Sequence, residues 1–247
     1  MKKQRWLGLA LIGMVVVFGV LSGRVELWSS SIKPAPQQGI RPSVQSAQAA
    51  SSEAESLQAA QRPETPLLYS PRGYAYVELL LERGEWVEAR RRGAETLPWM
   101  AAKGWLLEIA LDHLSLGRSS LVEHAATGTA DLAAARRELD AAVAGLRRAG
   151  AQHQLPRGLL ARAALFRLLS DLDAARRDLT SSEQLCTRGG LRLLLADTHL
   201  EWSRLHLAAG DDAAARPCLE KARELVNRCG YHRRTGEVAD LEGTLAR

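Results

Sequence analysis

The sequence predicts an all-α protein, an α-solenoid of about four antiparallel helix pairs behind an N-terminal transmembrane helix or signal segment. Three observations lead there. The chain repeats itself at a spacing of forty residues over much of its length. Residues 69–247 are rich in Leu, Ala, Arg and Glu, which favour helix, and poor in Val, Ile and Phe. A basic start is followed by an uncharged apolar run.

Met1–Arg5 (MKKQR) is basic and Trp6–Gly23 (WLGLALIGMVVVFGVLSG) carries no charge. That length is at the short end of what crosses a hydrocarbon core about 30 Å thick. Trp6 and Trp28 bracket the run, roughly 33 Å apart along a helix, where interfacial aromatics belong. Lys2 and Lys3 on the leading side predict a single-pass, N-in membrane anchor over residues 1–28. The repeat domain is then extracytoplasmic, on the periplasmic side if the cell is bacterial. The alternative is a cleaved signal peptide and a secreted chain. Residues 29–68 are rich in Pro, Ser, Gln and Ala and have few large apolar side chains. They cannot bury enough surface to fold alone and read as a disordered linker with a reach of roughly 35 Å. A transient helix over Val44–Gln61 fits that spacing role.

Residues 69–247 form the repeat domain, with units at about 69–104, 105–150, 151–190 and 191–232 and a cap at 233–247. A shift of forty residues superimposes Asp131-Leu132-Ala133-Ala134-Ala135-Arg136-Arg137 on Asp171-Leu172-Asp173-Ala174-Ala175-Arg176-Arg177, and a further forty gives Asp211-Asp212-Ala213-Ala214-Ala215-Arg216. Leu139, Leu179 and Leu219 coincide, as do Gly150, Gly190 and Gly230. An earlier unit, Gly84-Glu85-Trp86-Val87-Glu88-Ala89-Arg90-Arg91, matches at a spacing of 46, with Gly104 in the place of Gly150. Each unit resolves into two helices around a short turn, at Arg83-Gly84-Glu85, Thr129-Ala130-Asp131, Ser170-Asp171 and Gly210-Asp211. Asp at the turn can cap the second helix, and the glycine after its last turn suits a left-handed cap. The alanines at 89, 135, 175 and 215 lie where a larger side chain would force the paired helices apart.

The Gly-Asp/Glu-aromatic-x-x-Ala turn, best seen in Gly84-Glu85-Trp86-Val87-Glu88-Ala89, resembles the tetratricopeptide repeat family over about residues 70–232. The period is longer than the usual 34, the first helix of the second unit (about Leu106–Thr127) is extended, and the trailing Pro is missing from most units. The resemblance implies a right-handed superhelix whose concave groove binds a protein or peptide. The family's inward-facing positions fall here on Tyr74, Glu78, Arg157, Leu160, Arg167, Asp197, Leu200 and Arg204, the candidate partner-binding residues. The family's Lys/Asn clamp for a terminal carboxylate is not matched, because the chain's one Asn, Asn227, lies on a second helix.

Charge narrows the function further. The net +5 divides into +3 from residues 1–68 and +2 from residues 69–247, so the repeat domain lacks the dense basic face that nucleic-acid binding needs. Paired arginines at 90/91, 136/137 and 176/177, with Arg216 alone, read as a solvated column on the second helices, with ion pairs such as Asp173–Arg177 and Asp212–Arg216; the rival reading is a docking strip for acidic partners or lipid head groups. His199 and His206 are about 10 Å apart on one helix, too far to share a metal ion. Trp86, Trp99 and Trp105 read as inter-repeat core. Cys186, Cys218 and Cys229 do not form a disulfide framework. With no nucleophile motif, phosphate loop or paired-carboxylate constellation, the sequence predicts no enzyme, no cofactor and no metal. The expected function is a membrane-tethered scaffold for protein–protein interaction; the alternative is a sensor or regulatory arm that binds a peptide or small ligand and controls a signalling partner. Oligomeric state is left open.

Overall fold

The structure, a computed structural model, describes residues 44–247. The anchor or signal segment expected over residues 1–28 lies outside the described residues, as does the linker to residue 43. Among the described residues no helix is long and apolar enough to cross a membrane.

The described chain is helical, without strands. In order it forms α1 (Val44–Gln61), α2 (Ser70–Glu82), α3 (Trp86–Lys103), α4 (Leu106–Thr127), α5 (Leu132–Arg148), α6 (Leu155–Leu168), α7 (Leu172–Gly189), α8 (Arg192–Ala208), α9 (Asp212–Cys229) and α10 (Thr235–Leu245), with a 3₁₀ turn at His232–Arg234. Contacts draw a boundary after Ala47, and of the residues before it only the opening turn of α1 is described. Gln48–Arg247 is one compact unit, and the rest concerns it.

The short turns fold each helix back on its predecessor. Asp131, Asp171 and Asp211 each accept a hydrogen bond from the backbone N–H three residues on, at 2.9, 3.1 and 2.9 Å, satisfying a donor that the helix start leaves free. The second helices α3, α7 and α9 end at Gly104, Gly190 and Gly230, all in the left-handed conformation. Ala89, Ala135, Ala175 and Ala215 are completely buried, as are Leu139 and Leu179 beside them. From α2 to α10 every helix packs on the next. The first helices α2, α4, α6, α8 and α10 also pack on one another in sequence, while the second helices α3, α5, α7 and α9 make no comparable contact among themselves. The first helices therefore share a layer. At its end, Val238, Leu241 and Leu245 of α10 close the apolar cluster of α8 and α9, leaving the polar side of α10 to water.

Two sequence expectations are corrected here. The helix read over Val44–Gln61 forms, as α1, but it is not a free spacer: Glu55 pairs with Arg92 of α3. Leu67 and Leu68, also assigned to the linker, are buried. The tether reading rested on missing apolar periodicity, and α1 is held by polar groups that periodicity does not report. Trp105, expected in the core, is 43% exposed, because it precedes α4 and meets Tyr69 and Lys103 at the surface.

The turn between α6 and α7 holds a defect. Gly84 and Gly210 adopt φ of 74° and 72° at their turns, but the equivalent residue before α7 is Ser170, at φ 61°. A Cβ in that region costs about 1–2 kcal/mol. Ser170→Gly is expected to raise the unfolding free energy by about 1 kcal/mol and Gly210→Ser to lower it by about as much, both read from denaturant melts.

Candidate partner-binding face

On α2, Tyr74, Glu78 and Glu82 fall four residues apart and share one face. The Tyr74 hydroxyl donates to Glu78 Oε1 at 2.7 Å and accepts from Arg118 of α4 at 2.9 Å. Arg118 also forms an ion pair with Glu78. Arg157 of α6 approaches the other Glu78 oxygen at 3.4 Å, with its guanidinium 5.8 Å from the centre of the Tyr74 ring. One carboxylate thus gathers cations from two further first helices.

A second cluster joins α6, α8, the 3₁₀ turn and α10. Arg167 donates to Glu201 at 2.6 Å, and Arg204 reaches the same carboxylate at 3.3 Å. Glu237 bridges Arg204 and Arg234, and Arg234 donates to Asp197 at 2.7 Å. The Tyr231 hydroxyl donates to Asp197 at 3.1 Å and accepts from Arg233 at 2.8 Å. Arg233 then pairs with Glu82 at 2.5 Å, linking this cluster to α2. Burial alone would raise the Glu237 carboxyl, but Arg234 and Arg204 outweigh it and hold the group below its ordinary value. Burial pushes the Tyr231 hydroxyl up, and Asp197 adds to that.

Of the residues expected on the groove, Tyr74, Glu78, Arg157, Arg167, Asp197 and Arg204 enter these two clusters. Leu160 is half-buried against the Phe166–Ala175 cluster. Leu200 is a correction: at 1% exposure it packs in the core with Ala196, Ala215 and Leu219 and cannot meet a partner. It lies on the side of α8 that faces α9, although its equivalent forty residues earlier, Leu160, is only half-buried. Sequence reasoning missed Arg118, Glu82, Glu201, Tyr231, Arg233, Arg234 and Glu237. An aromatic and two arginines between the last repeat and the cap, Tyr231-His232-Arg233-Arg234, was the readable signal for three of them.

The arginine column on the second helices has a mixed fate. Arg90 pairs with Glu123, and Arg91 pairs with Glu88 and Glu95. Neither Asp173–Arg177 nor Asp212–Arg216 forms an ion pair among the described residues; Arg216 instead donates to the Leu245 carbonyl at 2.5 Å, tying α9 to α10. His199 is buried, and Trp202 stacks on His206 with ring centres 5.7 Å apart. The three cysteines are free, and burial pushes the Cys186 thiol up to about 11. Among the described residues no three His, Cys, Asp or Glu side chains converge as a metal site would require. The two clusters bring guanidinium donors and carboxylate acceptors together, while the rings of Tyr74 and Tyr231 are buried in the core clusters behind them.

One buried carboxyl lies apart from this face. Thr96 Oγ1 sits 3.0 Å from the Arg92 carbonyl and 2.9 Å from Asp112 Oδ1. A hydroxyl has one proton to give, so a protonated Asp112 completes both contacts. Burial, with Glu108 one turn away, raises Asp112 from 3.8 to about 7. Ser182 and Thr198 join α7 to α8 at the equivalent positions, 3.0 Å apart, with no ionisable group.

In comparison with known proteins, no family model, no curated sequence and no solved structure matches the chain.

Three substitutions test these geometries. Glu201 is 5% exposed and serves two arginines, so Glu201→Ala leaves charges without a partner and costs about 3 kcal/mol in a chemical melt. Glu224→Ala, which removes an exposed pair with Arg228, leaves the melt unchanged. For Asp112 the folded state binds the proton more tightly than the unfolded chain. Its stabilising contribution is full below about pH 4 and is lost as pH rises through about 7. Asp112→Asn, which keeps a donor toward Thr96, matches wild type at pH 4 and has the higher melting temperature at pH 8.

Proposed function

We propose that this chain is a membrane-tethered scaffold of the tetratricopeptide type, a right-handed solenoid of helix pairs that binds a protein or peptide on its layer of first helices. The observation that carries the reading is the convergence of arginines and carboxylates from α2, α4, α6, α8 and the turn after α9 on one face. Side chains from so many repeat units meet only where first helices line a common surface. Most of these side chains are already held by neighbours, so little rotamer freedom is lost when a partner docks. The basic, apolar amino terminus supports a membrane location, with the repeats on the far side from the cytoplasm.

The reading is tested with a photo-crosslinking residue in the full-length chain, expressed in its own cells. Placed at Arg157 or Arg204, it is expected to capture the same protein, and at Arg177, on a second helix, nothing in common with them. Capture from Arg177 alone, or of general chaperones alone from every position, would sink it.

A further inference from the structure

We infer that α1 is a detachable strap, and that Arg92, Tyr76 and the Leu68 N–H beneath it form a receptor for a helix-borne carboxylate, filled in cis by Glu55. The two sides of this contact are built very differently. From Ser46 to Gln61 no residue of α1 is buried, and its one leucine, Leu57, is 58% exposed. The helix does not pack extensively on any other described helix. It is held by polar groups: Ser52 Oγ lies 3.0 Å from the Tyr76 hydroxyl, and Gln58 Nε2 donates to the carbonyls of Thr65, at 2.8 Å, and Leu67. Glu55 makes the central contact, its two oxygens facing the two terminal nitrogens of Arg92, one at 2.9 Å. The Leu68 N–H donates to the same carboxylate at 2.7 Å.

The receptor, in contrast, belongs to the body. Arg92 is 4% exposed, and its guanidinium lies 4.3 Å from the centre of the Tyr76 ring, which fixes its plane. Its one other carboxylate, Glu88, approaches a single nitrogen at 3.3 Å. Arg92 Nε is buried without a hydrogen-bond partner. A planar cation held this way presents a two-pronged fork that fits a carboxylate or a phosphate, and here the Glu55 carboxylate takes both prongs. The ligand helix brings no buried residue of its own from Ser46 to Gln61, so its departure uncovers the site beneath it, Arg92, Tyr76 and Leu68, rather than a core shared with it. The fork stays in place when it leaves. The geometry therefore assigns the site to a glutamate carried on a helix, and its occupant is Glu55 of α1 in the same chain.

Hydrogen exchange of the full-length protein, followed by mass spectrometry, tests the strap. Residues 48–61 are expected to be protected in wild type and to exchange at least tenfold faster in Glu55→Ala, with α4 to α9 unchanged. Equal protection of residues 48–61 in both proteins overturns the inference, as does loss of protection through α4 to α9. The receptor is tested with a synthetic peptide of residues 48–61 with blocked ends, labelled for fluorescence anisotropy. Saturable binding to the Glu55→Ala chain below 1 mM, at least tenfold weaker to wild type and lost when the peptide itself carries Ala at 55, supports it. No saturable binding to the variant overturns it.

Discussion

How closely two helices of a pair can approach decides the rest of this fold. At the α4–α5 contact a Cβ on Gly145 would sit 2.8 Å from the Ala110 Cβ, and one on Gly117 would sit 2.5 Å from Leu139 Cγ. Those distances leave no room for a methyl group, so the backbones meet at the limit that glycine and alanine allow. The buried alanines at 89, 135, 175 and 215 set similar limits in every pair. Small residues here replace apolar area with closeness. Dispersion contacts between the backbones and the flanking leucines provide the attraction. Once the spacing is fixed, the side of each first helix that faces away from its partner is fixed as well, and the arginines and carboxylates come into register along the layer.

Much of this was legible in the sequence, for a physical reason. The turn residues, the capping aspartates, the closing glycines and the tight alanines act locally, so their identity follows from the backbone position they occupy. Leu106–Thr127 could be read as one long helix on the same grounds. Features that depend on distant neighbours were not legible. Leu200 is aliphatic on either face of α8, and only the position of α9 makes it core. Arg118 lies in the extended part of α4, where the repeat register is interrupted and no equivalent position exists. Glu201 and Glu237 are ordinary helix residues until two arginines from other helices reach them. α1 is a divided case: a helix over Val44–Gln61 was readable, but its docking through Glu55 and Gln58 leaves no mark on the hydropathy pattern.

The first-helix layer is close to neutral. Arg118, Arg157, Arg167, Arg204, Arg233 and Arg234 are set against Glu78, Glu82, Asp197, Glu201 and Glu237. A partner cannot gain from these arginines without displacing a carboxylate already there. Binding on such a surface is an exchange of ion pairs. The net electrostatic gain is small, and selectivity comes from how well the incoming groups match the geometry of those they replace.

The pair between Glu82 and Arg233 has a consequence for how such a chain can evolve. It joins the first hairpin to the turn that precedes the last helix, so its two members sit at opposite ends of the repeat series. Duplicating or deleting one forty-residue unit would carry Arg233 out of reach of Glu82. Open arrays of helical hairpins lengthen and shorten freely. In this one, the ion pair between the two ends forms at one number of units only.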